Sequence, residues 1–260
     1  MNYRGLAGVA VLFMVWGCAA VRPLPPPQVI GSPAELLERL KPRQTQVNSF
    51  KARAQITLIS PKRTYSGTAI LRGQRPHRLK VEVRDILGRA IMGFYSDGQI
   101  VKVFFPQEGK LYRGPATPAN MAPFIPPPVT LDEVLKALSG DPLLISGGRE
   151  QLAYEAGGRY LLELTSPEGK GRELLWVDNR DFNPVRLEMY DRGEIRLFTL
   201  EFQDFGSLPA GLPKKVVLHT EKPKAELRLT YTEMTVNLPL TEADMALSAP
   251  PSVKEELLGP

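Results

Sequence analysis

Apolar and polar residues alternate with period two along most of this chain, and that rhythm predicts strands. It begins at Ser49, where Ala52, Ala54, Ile56 and Leu58 alternate with Lys51, Arg53, Gln55 and Thr57. After a turn at 61–63 a second strand runs from Tyr65 to Leu71. Beyond the turn at 73–76, Leu79, Val81 and Val83 alternate with Lys80, Glu82 and Arg84. Ala90–Tyr95, Ile100–Phe105 and Lys110–Arg113 follow, the first two joined by the hairpin signal Ser96-Asp97-Gly98. The rhythm resumes at about 151–156, 159–165, 172–178, 184–190, 194–204, 214–221 and 224–234. About twelve antiparallel strands joined by short turns make a meander, and a sheet that wide must curl or close.

Two stretches have helical spacing instead. Ser32-Pro33-Ala34-Glu35 is a capping box with proline in the first turn, and Leu36, Leu37 and Leu40 follow it. This helix is predicted over roughly 33–47, disturbed by Pro42. Thr130-Leu131-Asp132-Glu133 is a second capping box, and Leu131, Val134, Leu135 and Leu138 form a one-sided apolar stripe that ends before Gly140. Both stripes need cover, and the concave face of a curled sheet supplies it. Residues 114–128, rich in Gly and Pro, are predicted to be a long loop, and 236–260 to be irregular. The chain is therefore read as mainly β, of the α+β kind.

The first eighteen residues follow a different rule. Arg4 precedes an apolar run from Leu6 to Trp16, and Gly17 and Cys18 close it. A run of 11 residues is short of the roughly 20 that span a bilayer, so it is read as an export signal. Residues 19–31 carry prolines at 23, 25, 26 and 27 and read as a polyproline-II spacer.

Composition changes this picture in two places. Cys18 is the only cysteine of the 260 residues, so the exported chain has no thiol left for a disulfide, a thiolate metal site or a cysteine nucleophile. The net charge of +5 is unevenly spread: from Arg39 to Arg89 there are thirteen Lys and Arg against Glu82 and Asp85. One basic side is expected, suited to anionic lipid or an acidic protein rather than, in an exported chain, to nucleic acid.

Little points to catalysis. The two histidines, His77 and His219, lie far apart without acidic neighbours at ligand spacing. No nucleophile-elbow serine motif occurs, and the Gly-rich stretches at 147–148, 157–158 and 169–171 are turns that open no helix. No enzyme, metal or cofactor is expected.

The ending Val15-Trp16-Gly17-Cys18 resembles the lipobox of bacterial lipoproteins. That resemblance implies cleavage before Cys18 and lipidation of it, and Ala19 after it is consistent, by analogy, with the periplasmic face of the outer membrane. Further along, Phe50-Lys51-Ala52-Arg53-Ala54-Gln55-Ile56, Gly67 to Arg72, Leu79 to Val83 with Asp85-Ile86-Leu87-Gly88, the helix at 130–139, and the ending with Tyr231, Val236 to Leu240, Met245 and Pro250-Pro251 are similar to the lipoprotein-localisation family of the carrier LolA and the receptor LolB. The resemblance covers roughly 32–252. It implies an incomplete, strongly curled antiparallel barrel of about eleven strands with a helical lid, preceded by a signal (1–17) and a lipidated tether (18–31) and followed by a tail (253–260). It implies acyl-chain binding in an apolar hollow, which needs no polar catalyst. A buried methylene is worth about 0.8 kcal/mol, so a 16-carbon chain is worth roughly 12 kcal/mol. Expected lining residues are Leu79, Val81, Val83, Met92 and Phe94 in the first half, and Leu187, Met189, Leu227 and Leu229 in the second, under a lid helix carrying Leu131, Val134, Leu135 and Leu138. The family's membrane-contact loop falls here on Ile86 and Leu87, between Arg84 and Arg89. The expected partners are the membrane, through the anchor, the acyl chains of lipids or lipoproteins, and a periplasmic carrier protein, met by a monomer. The alternative is a static lipoprotein of an envelope assembly that uses the same scaffold without transfer.

Overall fold

The computed structural model describes residues 26–61, 64–125, 129–145, 147–155, 157–167, 171–222 and 224–259. The expected export signal, Cys18 and most of the expected spacer lie outside the described residues.

Among the described residues fourteen strands form one sheet. In chain order they are β1 (Ser49–Ile59), β2 (Thr64–Gln74), β3 (Arg78–Arg84), β4 (Ala90–Ser96), β5 (Ile100–Phe105), β6 (Lys110–Pro115), β7 (Arg149–Glu155), β8 (Arg159–Thr165), β9 (Gly171–Asp178), β10 (Pro184–Asp191), β11 (Arg196–Phe205), β12 (Pro213–Glu221), β13 (Lys224–Val236) and β14 (Lys254–Leu257). Their spatial order is β14-β6-β5-β4-β3-β2-β1-β13-β12-β11-β10-β9-β8-β7. The two halves of the chain are thus two meanders joined where β1 meets β13. All pairs are antiparallel except β14 with β6. The sheet curls without closing, leaving β14 and β7 as free edges. Right-handed twist accumulates over so many strands. Register shifts at Arg53/Ala54, Val83/Arg84, Pro184/Arg186 and Met189/Tyr190 bend it further.

The helices are α1 (Pro33–Gln44), α2 (Pro118–Met121), α3 (Leu131–Leu138) and α4 (Glu242–Met245). In α1 and α3 the N-caps are those of the sequence pattern: Ser32 Oγ accepts from Glu35 N, and Thr130 and Glu133 close a complete capping box. Leu36 and Leu40 of α1 and Leu131, Leu135 and Leu138 of α3 are buried in one core cluster with the concave face. Gly73 makes room for that contact, because a Cβ there would sit 2.3 Å from the Phe50 ring and 2.8 Å from Leu135.

Residues 237–259 differ from the irregular segment expected over 236–260. They cross the convex face, where α4 packs against β3, and finish as β14. Polarity hides this segment from pattern reading, because what orders it is ion pairing to residues distant in sequence. Asp244 pairs with Lys51 at 2.7 Å, Glu242 with Arg78 at 2.8 Å and Glu256 with Lys110 at 3.1 Å. The hydrogen bond and charge of Lys51 hold the Asp244 carboxyl well below the usual range. Much of the basic stretch noted in the sequence is therefore already neutralised from within the chain, and Arg84 and Arg89 stay exposed.

Candidate functional site

In an antiparallel pair, residues directly opposite each other share a face. The register therefore defines the concave face without ambiguity. Leu152, Leu162, Leu175, Leu187, Leu200, Leu218, Leu227, Leu58 and Tyr65 are successive partners across nine strands, from β7 to β2. Leu152 on the β7 edge is half-buried, and from Leu162 onward the row runs from covered to open. Leu162, Leu175 and Leu187 are fully buried, Leu218 and Leu227 are half-buried, and Leu58 and Tyr65 are 40% and 38% exposed.

All nine residues expected to line a hollow share this face. Val83 opposes Met92, Val81 opposes Phe94, and Leu79 lies two residues before Val81 on β3. Leu187 and Met189 oppose Leu200 and Phe198, while Leu227 and Leu229 oppose Leu218 and Val216. Burial divides them. Leu79, Phe94, Leu187 and Leu229 are packed in the core, whereas Val81, Val83, Met92, Met189 and Leu227 are only partly covered. The partly covered ones lie toward the end of the sheet that carries the β1–β2, β3–β4, β10–β11 and β12–β13 turns. Ile86 and Leu87 are on that rim, 84% and 72% exposed, and Ile195 of the β10–β11 turn is 49% exposed. The Asp85 carboxylate shapes the β3–β4 turn, accepting from the Leu87 and Arg89 amides at 2.9 Å and pairing with Arg89 at 2.7 Å. Both aliphatic side chains are thereby presented outward.

At the other end, polar contacts fix the helices. The Arg75 guanidinium, at the end of β2, reaches the Gln44 carbonyl of α1, Ser139 after α3, and the buried Asp141 carboxylate. Burial raises the Asp141 carboxyl even with Arg75 beside it. Tyr231 Oη donates to the Leu138 carbonyl at 2.7 Å in the core. The stretch 26–31 is also tied down there. Gln28 N donates to the Asn179 carbonyl at 2.9 Å, Tyr160 Oη donates to the Gln28 carbonyl at 2.6 Å, and Ile30 N donates to Tyr160 Oη at 2.7 Å.

A carboxylate lies inside the concave face. Glu173 is fully buried beside Leu164 and Met189 in register. One carboxylate oxygen accepts from Ile145 N at 3.1 Å, and the other has no partner among the described residues. Burial pushes this carboxyl up to about 8. The sequence hides Glu173 because Leu174, Leu175, Trp176 and Val177 follow without alternation. Arg75 and Asp141 likewise carry no sequence signal, since their partners lie on other elements. Among the described residues no group of three His, Cys, Asp or Glu is placed to hold a metal ion, and no helix is long and apolar enough to cross a membrane.

No protein-family model matches the sequence, and no curated protein matches it. Solved structures match the fold. A LolA superfamily protein from Nitrosomonas europaea shares 17% identity over 84% of this chain and 99% of its own, with a TM-score of 0.54. A putative outer membrane lipoprotein-sorting protein domain from Vibrio parahaemolyticus shares 15% over 81% and 94%, with a TM-score of 0.55. A DUF1329 family protein from Desulfovibrio piger shares 13% over 82% and 95%, also with a TM-score of 0.55. The incomplete barrel thus has the fold of these LolA-like structures.

Proposed function

We propose that this protein is a lipoprotein, anchored through Cys18 at the periplasmic face of the outer membrane, that binds the acyl chains of lipids or lipoproteins on its concave face and takes part in lipoprotein localisation. The observation that carries this reading is the leucine row, which leads from the core under the helices to an open apolar sector at the rim. Such a surface accepts a flexible chain by burial alone, and Met92 and Met189 at its partly covered positions adapt to an unordered ligand. A whole acyl chain requires α3 to lift, because Leu135 fills the space over Gly73 and Phe50.

The reading is tested by purifying residues 26–260 and analysing co-purified lipid by mass spectrometry, then titrating the delipidated protein with a fluorescent 16-carbon chain. One saturable site is expected. Leu227→Arg, which puts a charge into the half-buried sector, is expected to weaken binding at least about tenfold. A repeatedly empty protein that takes up no chain would reject transfer and favour the static scaffold role, which the filled core beneath α3 supports.

In this reading Ile86 and Leu87 touch lipid, with Arg84 and Arg89 beside anionic head groups. Leu87→Glu is expected to slow delivery of a bound chain into anionic vesicles while leaving the unfolding midpoint unchanged, since the side chain is largely in water. Undiminished delivery would remove the loop from the mechanism.

A further inference from the structure

The concave face has a built opening under the N-terminal end of α3. A crevice of about 140 Å³ lies between Val129, just before that helix, and the β10–β11 and β12–β13 turns. Ile195, Leu197 and Phe198 form its apolar wall with Val129. Phe198 is buried and opposes both Met189 and Thr220 in register, so the crevice is continuous with the partly covered side of the concave face. A dry cavity of about 150 Å³ takes a benzene ring. The crevice therefore holds a stretch of about six carbons, one end of a chain rather than the whole of it.

Its mouth is charged. Asp191, Arg196 and Lys222 line it. The Asp191 carboxylate is committed to its own turn, accepting from Gly193 N at 2.8 Å and Ile195 N at 2.9 Å. Arg196 is held by Glu188 and by Glu221, the latter at 2.6 Å. Lys222 is exposed and has no ion-pair partner among the described residues. An apolar slot with one uncommitted cation at its lip complements an alkyl chain with an anionic head.

We propose that this crevice is the head-end subsite of the ligand, and that it selects single-chain stretches bearing an anionic head group, carboxylate or phosphate, which pairs with Lys222 while the first carbons pass between Val129 and Phe198. This rests on the acyl-chain reading above and assigns to it a head-group chemistry and a way in.

The test uses the delipidated protein and four probes: palmitate, lysophosphatidylglycerol, dodecyl maltoside and inorganic phosphate. Palmitate binding is expected to weaken roughly fivefold in Lys222→Glu and to be kept in Lys222→Arg, with dodecyl maltoside unchanged in both. Thr220→Trp, which fills the crevice, is expected to weaken palmitate and dodecyl maltoside alike. A circular-dichroism melt of each variant checks that it is folded, and Lys222, being exposed, is the substitution least able to disturb folding. The relative loss for palmitate and lysophosphatidylglycerol in Lys222→Glu tells a carboxylate head from a phosphate one, and phosphate alone is expected not to compete. If Lys222→Glu and Thr220→Trp leave palmitate binding intact, the crevice is overturned and acyl-chain binding stands. If the unaltered protein binds none of the chain-bearing probes, both fall.

Discussion

Glu173→Gln is expected to stabilise the protein at alkaline pH and to flatten its stability between pH 5 and 9. Unfolded, the carboxyl releases its proton near 4.5, whereas in the fold it keeps the proton to about 8. A folded value raised in this way means that the stability linked to this group is fully present below about pH 4.5 and is lost as pH rises through 8. The cause is burial without compensation: one hydrogen bond from Ile145 N, an unpartnered second oxygen, and the Glu133 charge nearby. At about 1.4 kcal/mol per unit the full swing is on the order of 5 kcal/mol. Urea midpoints at pH 5, 7 and 9 check it. Equal slopes for the two proteins across that range would mean that Glu173 is solvated in solution, and that the 141–145 segment does not seal it.

Arg75→Ala is expected to cost about 3–5 kcal/mol, the range found when one partner of a buried ion pair is removed. The side chain of Asp141 is 1% exposed and that of Arg75 15%, so solvent does little to replace the lost partner. The loss extends beyond one bond, because the same guanidinium holds the Gln44 carbonyl and Ser139. Its removal loosens α1 and α3 together. Hydrogen exchange is expected to rise in α3 before it rises in the strands, and, on the acyl-chain proposal, uptake of a chain is expected to become faster as the helix lifts more readily. The double variant Arg75→Met with Asp141→Leu should recover most of the stability. If the single variant melts like the original, the three contacts are replaceable by water and do not hold the helices.

How much of this was legible in the sequence differs by kind of interaction. Strict alternation, as in 51–58 and 79–84, gave both the strand and the face that turns inward. That is why all nine expected lining residues share the concave face. The capping boxes at Ser32 and Thr130 placed both long helices within a few residues, because a cap is satisfied locally. Where alternation failed, legibility failed with it. In 172–178 four consecutive apolar residues concealed the inward Glu173. The C-terminal segment looked like solvent-exposed tail because its ordering depends on Lys51, Arg78 and Lys110, distant in sequence, and on Leu247 packing over Gly93, where a Cβ would lie at 2.5 Å. Burial was the least legible property. Period two states which face a residue is on, but not how far along the strand the helices reach, so Leu229 and Leu227 looked equivalent although only the first is covered.

The tied stretch 26–31 bears on how load passes through the molecule. Tension on a chain held upstream first meets the bonds of Gln28 to Asn179 and of Tyr160 to Gln28 and Ile30, at the end of β8 and β9. These act as a strain relief, like the clamp on an electrical cord. Until they part, a pull from upstream does not load Ser32 or α1, and the position of α3 is set by Arg75 and Tyr231.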